Sequence, residues 1–186
     1  MKPKNERLKV YEFLYNRLPF NNDETEEYEA LQRMELLEEH FDLYLRDINL
    51  TNIEVHWHSE IHIGSKSELI NVLLATEYCY YLFMLHDFSG EHYINPFNIL
   101  VNKAHEPVYD LNRSISIYEK FKDTLIDEGT YQRPVIIKHV VLNDTFKLNK
   151  RPHENFLSLK NLPFYLRAIE HSAVIRKKHL QPDLSK

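Results

Sequence analysis

Glycine is scarce in this chain: Gly64, Gly90 and Gly129 are the only three in 186 residues, where average usage gives about 13. Neither a phosphate-cradling loop nor a G-x-S-x-G elbow can be assembled from them. That argues against a nucleotide-dependent enzyme or a serine hydrolase. Cysteine is scarcer still. The one thiol, Cys79, excludes a disulfide within the chain and fits a reducing, cytoplasmic setting. No apolar run approaches the ~18 residues needed to cross a bilayer. The opening Met1-Lys2-Pro3-Lys4-Asn5-Glu6-Arg7 is charged and lacks the apolar core of a signal peptide. No membrane partner is expected.

What is present is core material and uneven charge. Hydrophobic residues make up 43% of the chain and aromatics 12%, enough for the core of one domain. Residues 1–131 hold 12 Lys/Arg against 24 Asp/Glu, whereas residues 132–186 hold 11 against 4. The basic part ends in Arg176-Lys177-Lys178, a candidate contact for an acidic partner. The simpler reading is that it packs beside the acidic part and neutralises it.

The periodicity predicts mixed α/β structure. Lys4 to Arg17 reads as a helix ended by Pro19. Asp23 and Glu26 form an acidic capping box for a long second helix to Asp47. Its apolar side is Tyr28, Leu31, Met34, Phe41 and Leu45. Its acidic face, Glu24, Glu27, Glu35, Glu38, Glu39 and Asp42, reads as solvated. Asn52 to Ile63 alternates with period two, a half-buried strand. Leu69–Leu74 and Tyr80–Leu85 flank Ala75-Thr76-Glu77. Periodicity alone does not separate these runs from one buried helix. Their length and their β-branched and aromatic content favour a hairpin of two buried strands. Ile99–Val101 reads as a strand, Pro107 as the start of a helix capped at Gly129, and Pro134–Leu142 as a buried strand. Asn161 and Pro163 open the last helix.

Several of these segments, in this order and spacing, resemble the nuclease-related domain (NERD) family. Tyr81-Leu82-Phe83-Met84-Leu85-His86-Asp87-Phe88-Ser89-Gly90 is similar to the family's apolar strand, Glu-x-Lys-Asn and aromatic-x-Gly. Glu106-Pro107-Val108-Tyr109-Asp110-Leu111-Asn112-Arg113 is similar to its Asn-Pro-x-x-Gln-Leu-x-Arg helix start. Val140–Phe146 is similar to its later strand and turn. The resemblance covers about residues 25–170, leaving residues 1–24 as an N-terminal helix and 171–186 as a basic tail. It implies a single α/β domain of restriction-endonuclease-like PD-(D/E)xK type, with a central mixed sheet flanked by helices.

The departures fall on the chemistry. In the family, a helix acid, an aspartate and the Glu-x-Lys pair hold a divalent ion and position a water. The matching positions here are Leu31, Asn71, Met84 and His86, and Asp110 replaces a glutamine. Leu31 and Met84 cannot bind a hard cation. The resemblance therefore implies a catalytically inactive nuclease frame, without a cofactor, that binds nucleic acid or another protein. Homo-oligomerisation is left open. The alternative is an active nuclease using Mg²⁺, Mn²⁺ or Zn²⁺ at a displaced site, drawing on Asp87, Glu68 and Asp110 or on His56 and His58. Asp87 would need a bulge to face where His86 does.

Two other features stand apart from the resemblance. His56 and His58 are two apart on a strand, roughly 6.6 Å, and are a candidate metal pair. The simpler reading is the wet face of an amphipathic strand. His139 reads as an isolated structural histidine.

Overall fold

A computed structural model describes residues 2–15, 17–63, 66–127, 133–149 and 154–180; side chains at 63, 66, 67, 126, 127 and 174–180 are not described. The expected cap at Gly129 lies outside the described residues. The chain is an α/β protein with N-terminal helices followed by mixed sheets and interleaved helices.

The first helix, α1 (Glu6–Tyr15), packs on the second, α2 (Asn22–Leu45), through aromatic rings. Tyr11, Tyr15, Phe20 and Tyr28 form a cluster with centroids 4.7–6.2 Å apart. That cluster sets where the chain enters α2. The capping box is therefore Asn21 with Glu24, two residues before the expected Asp23 and Glu26. Asn21 Oδ1 accepts the Glu24 N–H at 2.9 Å, and Glu24 Oε2 accepts the Asn21 N–H at 2.8 Å.

One expectation for α2 is overturned. Its buried positions include Glu35, Glu38 and Asp42 beside Phe41 and Leu45, whereas Leu36 and Leu43 are exposed. Half of the acidic face is therefore not solvated: Glu35 and Glu38 are buried where Lys2 meets them, and Asp42 is buried beside Arg46, whereas Glu24 and Glu39 are exposed as expected. The expected domain boundaries at residues 24 and 170 both fall inside continuous helices.

Strands β1 (Ile53–Ile63), β2 (Lys66–Thr76) and β3 (Tyr80–His86) form an antiparallel meander. The two apolar runs are thus a hairpin, as their composition indicates. Strands β4 (Glu91–Ile94), β5 (Ile99–Asn102) and β6 (Pro107–Asp110) follow, then α3 (Asn112–Asp127). Here the expected helix start at Pro107 is wrong. Residues 102–106 turn the chain, with Asn102 N–H donating to Glu106 O at 3.0 Å, and Pro107 opens an edge strand against β5. The helix begins where Asp110 Oδ1 accepts the Asn112 N–H at 2.9 Å.

Strand β7 (Val135–Val141) returns parallel to β3. A smaller sheet, in the order β6-β5-β4-β8, closes with β8 (Lys147–Leu148). Strand β9 (Phe156–Ser158) lies parallel to β7, giving the main sheet the order β1-β2-β3-β7-β9. The chain then enters α4 (Leu162–Leu180). No helix among the described residues is long and apolar enough to cross a membrane.

Both faces of the main sheet are covered. Phe83 and Leu85 pack with Phe41 of α2 and Leu166 and Ile169 of α4. Leu82 and Met84 pack with Ile117 of α3. Burial on both faces explains why Tyr80–Leu85 is continuously apolar rather than alternating.

Candidate functional site

The alternation of side chains inverts midway along the β1–β2 hairpin. Ile53, Val55 and Trp57 lie with the α2 side, yet Ile61, of the same parity, lies with Ile117 of α3. The inversion occurs at His58, whose φ is 57°. Consecutive residues Trp57 and His58 consequently both reach α2: the Trp57 ring is 6.3 Å from Phe41, and His58 Nε2 is 2.6 Å from Glu38 Oε2. Strand β2 inverts opposite. Ile70 faces α3 and Val72 faces α2, with Asn71 between them.

Asn71 is buried and uses both ends of its amide. Its Oδ1 accepts the Leu85 N–H at 2.8 Å, just past the last β2–β3 backbone pair, Val72 with Phe83. Its Nδ2 donates to Met34 Sδ at 2.8 Å and to Glu38 Oε1 at 3.5 Å. The α2 residues at Asn71 are therefore Met34 and Glu38. Leu31, the expected helix position, stands seven residues before Glu38, roughly 10 Å along the axis.

Glu38 is fully buried. Lys2 Nζ lies 3.2 Å from its Oε2 and 2.7 Å from Glu35 Oε1, with only 4% of the Lys2 side chain exposed. An ammonium and an imidazole thus meet two carboxylates in the place where a cation would be sought. Stable burial of such charges requires this pairing.

Met84 and His86 lie on the other side of the sheet. Met84 packs in the cluster with Ile117, and its Sδ accepts from Tyr109 Oη at 3.7 Å. His86 stacks on Phe88 at 4.5 Å and meets the edge of Tyr109 at 4.9 Å. Its Nε2 is 3.0 Å from His139 Nδ1, and His139 Nε2 is 2.7 Å from Ser114 Oγ. Burial, and then the neighbouring His139, push the His86 pKa down to about 3. His86 is therefore neutral at pH 7 and cannot supply the charge of a lysine. His139 is not isolated, as its sequence context suggests, but is the middle of a three-residue chain. Asn71 joins α2 while Met84 and His86 face α3, so the four positions do not gather at one point.

The remaining candidate carboxylates each have their own surroundings. Glu68 is held by Arg113, with Nη2 to Oε2 at 2.5 Å, and Asp110 Oδ1 by Asn112. Asp87 is exposed, and its carbonyl accepts from Asn143 Nδ2 at 3.3 Å. His56 is exposed, its Nε2 3.5 Å from Glu54 Oε2, whereas His58 is bonded to Glu38 of α2, so the two rings of the expected pair are engaged by different carboxylates. Among the described residues no group of three His, Cys, Asp or Glu could hold a metal ion. The side chains of Arg176, Lys177 and Lys178 lie outside the described residues.

Sequence reasoning misses Lys2, Glu35, Glu38 and Ser114. Only the position of Glu38, one turn before the core residues Phe41 and Asp42, hints at burial. No protein-family model matches the chain, and no curated protein is detectably similar to it.

Proposed function

We propose that this chain is a restriction-endonuclease-like domain of the nuclease-related type that has lost metal chemistry and works by binding an acidic partner, nucleic acid or protein. The order of elements supports the frame: a long helix, an antiparallel β1-β2-β3 meander, then a crossover to parallel β7. One observation carries the loss of chemistry. The Asn71 amide donates toward Met34 and Glu38 while accepting from Leu85, a pattern that an ionised aspartate cannot reproduce because it has no donor. The nearby carboxylates are already engaged by Lys2 and His58.

The binding surface is the outer side of α4 and the residues before it. Leu162, Leu166, Ile169 and Ala173 face the core. Lys160, Phe164, Arg167 and His171 are exposed, Phe164 at 69%. A basic row with one aromatic suits an anionic partner.

The test is a nuclease assay on single- and double-stranded DNA and RNA with Mg²⁺ or Mn²⁺, run beside retention on nucleic acid across a salt gradient. Expected are no metal-dependent cleavage and a salt-sensitive retention that weakens in the K160E/R167E variant. Cleavage abolished by chelator and by Asn71→Ala would overturn the inactive reading. Absence of both activities would assign the surface to a protein partner.

A further inference from the structure

We infer that Ser114, His139 and His86 form a nucleophile, base and orienting group for acyl transfer, acting on esters with an apolar acyl chain. Three features carry the inference independently of the nuclease-like reading. Nucleophile and base are in hydrogen-bond contact, Ser114 Oγ to His139 Nε2 at 2.7 Å. The base is oriented in turn by a third group, His86 Nε2 to His139 Nδ1 at 3.0 Å. This is the relation that defines an activated serine, whatever the fold. Finally, Ser114 and His139 line a cavity of about 460 Å³, with Leu111, Ile115, Tyr118 and Ile137 as apolar walls. Its size is that of a small-molecule site.

The glycine shortage excludes an elbow but not this arrangement, because Ser114 is carried in the first turn of α3. His139 sits in β7 beside β3, which carries His86. Both imidazoles are thus on strands of the main sheet, and their separation is set by a ladder rather than a loop. A neutral His86 presents a lone pair on Nε2, which accepts the His139 Nδ1 proton. In that tautomer the His139 Nε2 lone pair accepts from Ser114.

The reaction then runs in two balanced halves. Ser114 Oγ forms a bond to the ester carbonyl carbon as its proton passes to His139 Nε2 and the carbonyl π pair moves to oxygen. Collapse expels the alkoxide, which takes the proton from His139 and leaves as alcohol. Water repeats the sequence on the acyl-serine, giving its proton to His139, and a carboxylic acid is released with Ser114 restored. Asn98 and Asn155 line the same cavity.

The test uses the full chain with a fluorophosphonate probe and p-nitrophenyl esters from acetate to octanoate. Expected is a single covalent adduct mapping to Ser114 by peptide mass analysis, with ester hydrolysis falling at least tenfold in Ser114→Ala. His86→Asn, which keeps an acceptor for the His139 proton, should retain most of the rate, whereas His86→Leu should lose it and shift the pH profile. Wild-type protein that stays unlabelled at Ser114, or hydrolysis unchanged in Ser114→Ala, overturns the proposal. Labelling of wild-type protein needs no variant to fold, and it is read separately from nuclease activity.

Discussion

His58 Nε2 and Glu38 Oε2 meet at 2.6 Å across the β1–α2 interface, and the contact exists only because His58 adopts a φ of 57°. A backbone conformation disfavoured for side-chain-bearing residues is accompanied by a hydrogen-bond contact to a buried carboxylate that Lys2 also pairs. Removing the carboxylate should release both. Glu38→Ala leaves Lys2 with Glu35 alone and His58 without its acceptor, and should cost about 3–5 kcal/mol. Urea denaturation measures this directly; a loss under ~1 kcal/mol would mean the network is solvated.

Asn71→Asp changes only an amide to an acid. It removes the donations to Met34 and Glu38 and sets a second carboxylate 3.5 Å from Glu38. Stability should fall by about 2–4 kcal/mol. Part of the loss should return with millimolar Mn²⁺ and disappear again in chelator, read as a shift in melting temperature. An Asn71→Asp variant as stable as the parent would show that the amide donors are idle.

The low pKa of His86 predicts an acid-labile fold. Its folded value is about 3 against an ordinary 6.5. Between those values the unfolded chain binds a proton that the folded chain refuses. Stability is therefore full above about pH 6.5 and falls as pH drops, by up to ~1.4 kcal/mol per pH unit from this group. Denaturant midpoints at pH 7, 6 and 5 test it. The slope should flatten in His86→Asn, and an unchanged slope would assign the acid sensitivity to other groups.

Gly90 turns the chain from β3 into β4 with φ of +81°, and a Cβ placed there meets no atom within 4 Å. Gly90→Ala should therefore cost only the conformational penalty, about 1–2 kcal/mol. Its equilibrium denaturation should show an unchanged m-value. A larger loss would point to a contact that the open space does not suggest.

The legible parts of this fold are those where composition and length agree. β3 and β7 are readable because strands buried on both faces are dense in β-branched and aromatic residues. The short strands β4, β6, β8 and β9, with two to four residues each, carry too few positions for any period to register. The two inversions at His58 and Asn71 are invisible to a period-two pattern, which assigns His56 and His58 to one face. Glu38 escapes because its burial depends on Lys2, thirty-six residues away in the chain. The Ser114–His139–His86 chain joins three elements whose proximity only the sheet order creates.

Strand β3 has a partner along each edge, β2 on one side and β7 on the other. Only the first pairing is local. During synthesis the meander β1-β2-β3 is complete well before Val135–Val141 emerges, so Tyr80–His86 presents an open, apolar edge until β4–β6 and α3 have been laid down. Such an edge is a template for pairing with other chains. Truncations ending between His86 and Val135 should consequently accumulate as aggregates, and the full-length chain should depend on prompt docking of β7 to escape the same fate.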